Sequence, residues 1–359
     1  MKGNKKISEF KKFIKQLNGK NRVAIIYDSD PDGLTAAVIT SKAVERIRGK
    51  KPELVFFQAH ATVSLQDNSI QKLKKNKINR LIILDLAVDQ DAKQIKKAEK
   101  ICKILVLDHH KSYQSISSKK TTLIKASSLS FMEPSKYATS KMAFDLFSEV
   151  TNISDLKWLA CIGLMGDYCV KAWKKFFDQA FFENNTSEKE ICELMEIISS
   201  TETVNRNKVA VLFKEFFKAK KPQDIHKTKY SYYKKLIKKE LKRLELEFHK
   251  KKEVFPKQEL VCFHFKSKLD IKSILVNKIS TTYYPDKTVV ILEEKEKKIM
   301  TISARRQDYQ VKMNDVLEKA VKGLKGAMAG GHIPAAGGKI DKKDMPKFKQ
   351  NLLKVLSTS

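Results

Sequence analysis

No run of about 18 apolar residues occurs in the sequence, so no transmembrane helix is expected. The first residues, MKGNKKISEFKKF, are charged and lack the apolar core of a secretory signal. Cysteine is scarce: Cys102, Cys161, Cys169, Cys192 and Cys262 make an odd set with no C-x-x-C. That argues against a disulfide framework and a cysteine-rich zinc site, and it predicts reduced thiols in a cytoplasmic protein without membrane contact. Neither a Walker A loop nor G-x-G-x-x-G occurs among the 12 glycines, so triphosphate hydrolysis and dinucleotide cofactors have no support. Acidic residues are also in deficit, with 41 Asp+Glu against 72 Lys+Arg and a formal net charge of +31. Such an excess favours polyanionic partners, because neutralising phosphates releases condensed counterions.

The 359 residues are long for one core and suggest two domains. In the first half, strands are predicted at Arg22–Tyr27, Leu54–Phe57, Arg80–Asp85 and Ile101–Asp108. Helical spacing appears at Gly33–Ile47 and between Asp89 and Lys100, with further helices at Ser140–Val150, Ser154–Tyr168 and Ser187–Ser200. Continuous apolar strands alternating with helices imply a parallel sheet covered on both faces. The Lys-rich stretch from Val204 to Lys252 reads as helical, with a long amphipathic helix whose charges form a solvated face. After Pro256 come a strand at Leu260–Phe265, a helix at Ile271–Tyr284, and a hairpin pairing Thr288–Leu292 with Lys298–Ser303. A helix at Val311–Leu324 and a Gly/Ala-rich loop follow. The expected class is therefore α/β: a parallel-sheet domain over residues 1–202, a helical linker over 203–255, and a smaller α/β domain over 256–359.

Three acidic or histidine clusters fall at the C-terminal end of a predicted strand. Asp28, Asp30 and Asp32 follow the first strand as D-S-D-P-D-G, Asp85 ends the third, and Asp108, His109 and His110 end the fourth. Strand C-termini form the ligand crevice of open α/β sheets. Carboxylates gathered there repel one another unless cations lie between them, and mixed Asp/His ligation suits Mn²⁺ or Zn²⁺. An EF-hand is excluded, because its loop needs Glu at the twelfth position and counting from Asp28 gives Ile39. A helix N-cap explains one Asp of the first cluster but not three at alternate positions.

This arrangement resembles the DHH phosphoesterases. The motifs read YDSDPDG at Tyr27–Gly33, LDLAVD at Leu84–Asp89, LDHH at Leu107–His110 and GLMGDY at Gly163–Tyr168. A second set, Ser303-Ala-Arg305 and Gly330-Gly-His-Ile-Pro-Ala-Ala-Gly337, resembles the DHHA1 domain that often follows. The resemblance implies a centre of two ions, usually Mn²⁺ with Mg²⁺ as the alternative, held by Asp30, Asp32, Asp85, His109, Asp167 and Asp28. Many relatives carry His where Asp28 stands, which makes Asp28 the more peripheral ligand. Asp85 would bridge the ions, Asp108 would orient an imidazole or water, and His110 would donate to a phosphate oxygen. Ser303, Arg305, Gly330, Gly331 and His332 would bind substrate phosphate.

The implied activity is that of a RecJ-like exonuclease releasing 5′-mononucleotides from single-stranded DNA or RNA. The alternatives are a nanoRNase on short oligonucleotides and a phosphodiesterase of cyclic or linear dinucleotides or pAp-like bisphosphates. A pyrophosphatase ranks below them, since that branch lacks G-G-H-x-x-A-A-G. So does a non-catalytic replication scaffold, since every ligand position is filled. Replication or repair proteins are the implied partners beside nucleic acid.

Overall fold

The computed structural model describes residues 3–58, 64–295 and 298–357. The chain divides into two compact units, Met1–Tyr233 and Lys234–Ser359. Chain order in the first unit runs α1 (Asn4–Lys15), β1 (Val23–Asp28), α2 (Pro31–Arg48), β2 (Leu54–Gln58), α3 (Asp67–Lys75), β3 (Arg80–Leu84), α4 (Ala92–Glu99), β4 (Lys103–Asp108) and β5 (Thr121–Lys125). It continues with α5 (Ala126–Leu129), α6 (Thr139–Ser148), α7 (Lys157–Gly166), α8 (Lys174–Glu183), α9 (Glu188–Asn205) and α10 (Val209–Lys218). The five strands make one parallel sheet in the order β2-β1-β3-β4-β5.

The apolar strands are buried on both faces because successive side chains point to opposite sides. Ile25, Tyr27, Ile82, Leu84, Leu105 and Leu107 face a core shared with α1, α2, α6, α7, α9 and α10. Ala24, Ile26, Leu81, Ile83, Ile104 and Val106 face a second core with α3 and α4. Three strand ends fall inside the predicted limits, β1 starting at Val23 rather than Arg22. Strand β3 stops at Leu84 because Asp85 takes φ 59°, and β4 starts at Lys103 because the amides of Ile101 and Cys102 still bond to Ala98 in the closing turn of α4.

The second unit carries most of α11 (Ser231–Lys251), then β6 (Glu253–Phe255), β7 (Leu260–Lys266), α12 (Lys272–Thr282), β8 (Thr288–Glu294), β9 (Ile299–Arg305), α13 (Met313–Ala320), β10 (Met328–Gly331), β11 (Ala335–Asp341) and α14 (Met345–Leu356). Its sheet runs β10-β11-β9-β8-β7-β6, antiparallel except for the parallel pair β7–β8. The predicted pairing of β8 with β9 is present, although part of its connection, 296–297, lies outside the described residues.

Two stretches differ from the sequence reading. Residues 203–233 lie in the first unit, where Val209, Leu212, Phe216, Ala219, Ile225 and Tyr230 join the core. From Lys234 onward α11 belongs to the second unit and buries Ile237, Leu244 and Phe248, the last edge-on to Phe263 at 5.5 Å. The lysines around these apolar positions disguised a packed stripe as a solvated linker. The Gly/Ala-rich segment is a β-hairpin rather than a loop, with Gly330 opposite Gly337 and Gly331 opposite Ala336. Among the described residues, no helix is long and apolar enough to cross a membrane.

Candidate metal centre and substrate-binding face

Parallel pairing of β1, β3 and β4 sets their C-terminal ends side by side, with Tyr27 beside Leu84 and Leu84 beside Leu107. Each of the three acidic clusters continues from one of these ends. Asp28 closes β1 and accepts from the Ser29 amide at 2.6 Å. Asp30 is the N-cap of α2, accepting from the Gly33 amide at 2.8 Å with Pro31 next in line, the pairing that suits a helix start. Asp32, one turn in, is buried and accepts the Thr139 and Ser140 amides at 2.7 and 2.8 Å. It therefore caps α6 from outside that helix, where the amide dipoles favour an anion. A carboxylate offers about four lone-pair sites, so these bonds leave acceptor capacity on Asp32.

Asp85 accepts from Thr139 Oγ1 at 2.9 Å and lies 3.4 Å from His109 Nε2. Asp167, the C-cap of α7, places Oδ2 3.7 Å from His109 Nδ1. Donor atoms of Asp32, Asp85 and His109 come within 4.8 Å of one another. Burial, followed by the charges of Asp32, Asp30, Asp167 and Asp28, pushes the Asp85 carboxyl well above its usual range. Burial and then Asp32, Asp30 and Asp28 do the same to Asp167. Asp167 Oδ2 is buried with no hydrogen-bond partner among the described residues. A buried acceptor without a donor, amid carboxylates that repel one another, fits a divalent cation; the mixed oxygen and imidazole donors suit a transition ion. These residues could therefore hold a metal.

Asp108 has a different setting. Its Oδ1 meets His110 Nδ1 at 2.7 Å and its Oδ2 meets Lys125 Nζ at 2.5 Å. Burial works against the charged form, but His110 and Lys125 hold the Asp108 carboxyl well below its usual range. Lys125 is itself buried and also donates to Asp89 Oδ1 at 2.9 Å and to the Lys111 carbonyl at 3.2 Å. The sequence reading missed Lys125 and assigned Asp89 no role. The one available signal was a lysine closing the apolar-ended run T-T-L-I-K, which β5 pairs opposite Asp108.

Two motif glycines are explained by close approach. A Cβ at Gly33 would overlap the Asp28 carbonyl, and one at Gly163 would overlap Ser140 Oγ and Asp32 Oδ1. Gly163→Ala is therefore expected to destabilise the protein by at least ~1 kcal/mol in urea unfolding, since overpacking costs ~1–3 kcal/mol or more and helix propensity returns only part of it. Gly19→Ala, where nothing lies within 4 Å, is the control and should move stability by less than ~0.5 kcal/mol.

In the second unit the two remaining motifs share adjacent strands. Ser303 stands opposite Gly337, which stands opposite Gly330; Arg305 stands opposite Ala335, whose carbonyl accepts the His332 amide at 2.7 Å. Alternation places Ser303 and Arg305 on one face. Arg305 Nε donates to Asn277 Oδ1 at 2.5 Å and its Nη1 to the Ala304 carbonyl at 2.9 Å. The glycines leave a strip of backbone without side chains beside a guanidinium and an imidazole. The structure thus gathers Asp28, Asp30, Asp32, Asp85, Asp108, His109, His110 and Asp167 in the first unit, and Ser303, Arg305, Gly330, Gly331 and His332 in the second.

An open parallel sheet with acids and histidines at its strand ends, followed by a small mixed-sheet unit, agrees with two family models. The DHH family, N-terminal domain matches residues 22–164 and the DHHA1 domain matches residues 259–358. The chain carries a DHH domain and a DHHA1 domain; members of the DHH family are typically metal-dependent phosphoesterases. Among solved structures it is similar to a DHH-domain protein described as a member of a family of ribosomal proteins, with TM-score 0.72, 16% identity, and coverage of 98% of this chain and 90% of the other. It is similar to RecJ of Thermus thermophilus in complex with Mn²⁺, with TM-score 0.68, 13% identity and 99% of this chain covered; the match spans 54% of that RecJ chain. It is also similar to CDC45 of Entamoeba histolytica, with TM-score 0.60, 10% identity and full coverage of both chains. At these identities the likeness is one of fold. No curated protein sequence matched the chain.

Proposed function

We propose that the protein is a metal-dependent phosphodiesterase of nucleic acid, a RecJ-like exonuclease that releases 5′-mononucleotides from single strands. The observation that carries this reading is the buried meeting of Asp32, Asp85 and His109 beyond the strand ends of a DHH domain, with Asp167 of the α7 C-terminus 3.7 Å from His109. Asp28, Asp30, Asp32, Asp85, His109 and Asp167 would hold two divalent cations, with Mn²⁺ favoured by the mixed donors. Cations held there supply Lewis-acid stabilisation of phosphate charge and ease deprotonation of a water nucleophile.

The chain's own residues do the rest. Asp108, kept ionised by His110 and Lys125, fixes the His110 ring through Nδ1, which directs Nε2 to donate to a non-bridging phosphate oxygen. Asp108 also holds the His110 pKa above its usual value against the opposing effect of burial, so the ring is readily a cation and a donor. On the second unit, Arg305 and His332 supply phosphate donors and the Gly330–Gly337 strip admits a strand backbone closely. The net charge of +31 favours a long polyanion.

The test is the product ladder from a 5′- or 3′-end-labelled single-stranded 30-mer beside a 3-mer, with Mn²⁺ and then with excess chelator. Stepwise mononucleotide release that stops with chelator and returns with Mn²⁺ supports the proposal. Turnover of the 3-mer alone assigns the protein to short oligonucleotides instead, and full activity in chelator overturns the metal-dependent reading.

A further inference from the structure

The Asp28-Ser29-Asp30 segment carries two of the proposed ligands, and two of its bonds are local. The Ser29 amide donates to Asp28 Oδ1 at 2.6 Å, and the Gly33 amide donates to Asp30 Oδ1 at 2.8 Å. Both lie within residues 28–33 and would travel with the segment if it shifted. The side chain between the two aspartates is bonded differently. Ser29 is fully buried, and its hydroxyl donates to Glu202 Oε1 at 2.7 Å, across 173 positions of sequence. A hydroxyl has one proton to give, and Asp28 Oδ1 stands farther off at 3.5 Å. Glu202 is therefore the acceptor that holds it.

Glu202 lies on α9, past the predicted end of that helix and outside every motif of the sequence. Its side chain is 14% exposed, so water competes little for the carboxylate. The same helix also closes on the other side of the proposed centre. A Cβ on Gly166, the residue before Asp167, would stand 2.9 Å from Pro31 Cβ and 4.0 Å from Met195 Cγ. Met195 is about two turns before Glu202 and shares its face of α9. One face of α9 thus lies against the turn that ends in Asp167 and against the loop that carries Asp28 and Asp30. The bland reading of Glu202 is an i,i+4 ion pair with Arg206, but that contact is 3.6 Å long. The bond from Ser29 is at full hydrogen-bond length.

We propose that Glu202 is a positioning residue of the metal centre, tethering Ser29 so that the Asp28 and Asp30 carboxylates on either side of it stay where bound cations need them. This rests on the metal-dependent reading above. Partners that orient ligands without touching the ion typically contribute ~10–100-fold in metal affinity.

The experiment is calorimetric titration of Mn²⁺ into the metal-free full chain, without substrate. Glu202→Ala and Ser29→Ala should each raise the Kd for Mn²⁺ about 10- to 100-fold. The double variant should bind no more weakly than the worse single variant, because both changes break one bond. Glu202→Gln keeps an acceptor for the hydroxyl but gives up the charge facing Arg206, and it should stay close to wild type. Glu193→Gln removes a carboxylate from the same helix, roughly 13 Å along its axis, and should leave Mn²⁺ binding unchanged. Wild-type affinity in both alanine variants, an additive loss in the double variant, or a loss in Glu202→Gln as large as in Glu202→Ala each overturns the tether. If wild type itself takes up no Mn²⁺, the metal-dependent reading fails and the tether with it.

Discussion

On the proposed function, Asp85→Asn is expected to lower phosphodiesterase turnover by more than about 100-fold and Asp28→Asn by about 10- to 100-fold, because changes at peripheral positions of a metal site typically cost ~10–100-fold and loss of a central ligand would cost more. Asp85 is buried at the meeting of β3 and β4 and lies against His109 at 3.4 Å. Four other aspartates raise its pKa after burial itself. On the proposed reading, a carboxylate surrounded in this way would gain most from bound cations. Asp28 accepts the amide of its own neighbour, Ser29, so one of its oxygens is already engaged in holding the loop. Asparagine keeps an acceptor for Thr139 Oγ1, so the comparison tests charge and not packing. Stability provides an independent check. Removing one of several repelling charges should leave metal-free Asp85→Asn at least as stable as wild type. With Mn²⁺ at 100 times its Kd, wild type should gain about 2.7 kcal/mol per site and the variant less. A dead Asp28→Asn beside an active Asp85→Asn would reverse the assignment.

Much of this arrangement was legible in the sequence because it rests on short-range patterns. The strands β1 to β4 are uninterrupted apolar runs, which only a doubly covered sheet accommodates, and the acids at their ends mark the crevice directly. Residues that act through tertiary contact were not legible. Thr139 and Ser140 look like an ordinary helix start, yet their amides hold Asp32, which lies more than a hundred positions earlier. Nothing in V-A-V-L-F-K-E-F-F-K distinguishes a linker helix from one whose Leu212 and Phe216 complete a core. The run A-M-A-G-G-H-I-P-A-A-G-G has turn composition, but register with β9 makes it two strands. The glycines of D-P-D-G and G-L-M-G-D are visible as motif letters, and only the crowding at Asp28 and Ser140 says why no other residue fits.

Lys125 is the sharpest case of a residue hidden from sequence, and its replacement carries the largest expected effect on stability. Its ammonium is buried between Asp89 Oδ1 and Asp108 Oδ2, at 2.9 and 2.5 Å, with the Lys111 carbonyl completing the set. Burial opposes its charge, but Asp108 and Asp89 together raise its pKa, so the ion triad persists across the neutral range. Methionine matches the stem in length and fills the same space, but it leaves buried Asp89 without the ammonium and Asp108 with His110 as its remaining cationic partner. Breaking a buried pair by removing one partner typically costs ~3–5 kcal/mol, so Lys125→Met should lose about that much in urea unfolding at pH 7. Adding Asp89→Asn removes the stranded charge while preserving an acceptor for the Tyr113 amide, which Asp89 Oδ2 now holds at 2.8 Å. The double variant should recover at least ~1 kcal/mol of the loss, a coupling of the size found for groups in one ion network. A loss under ~1 kcal/mol in the single variant would mean that water reaches Asp108 and screens it, as at exposed pairs. In that case Asp108 would owe its orientation of His110 to its own backbone bond with that residue, made at 3.2 Å, rather than to the lysine.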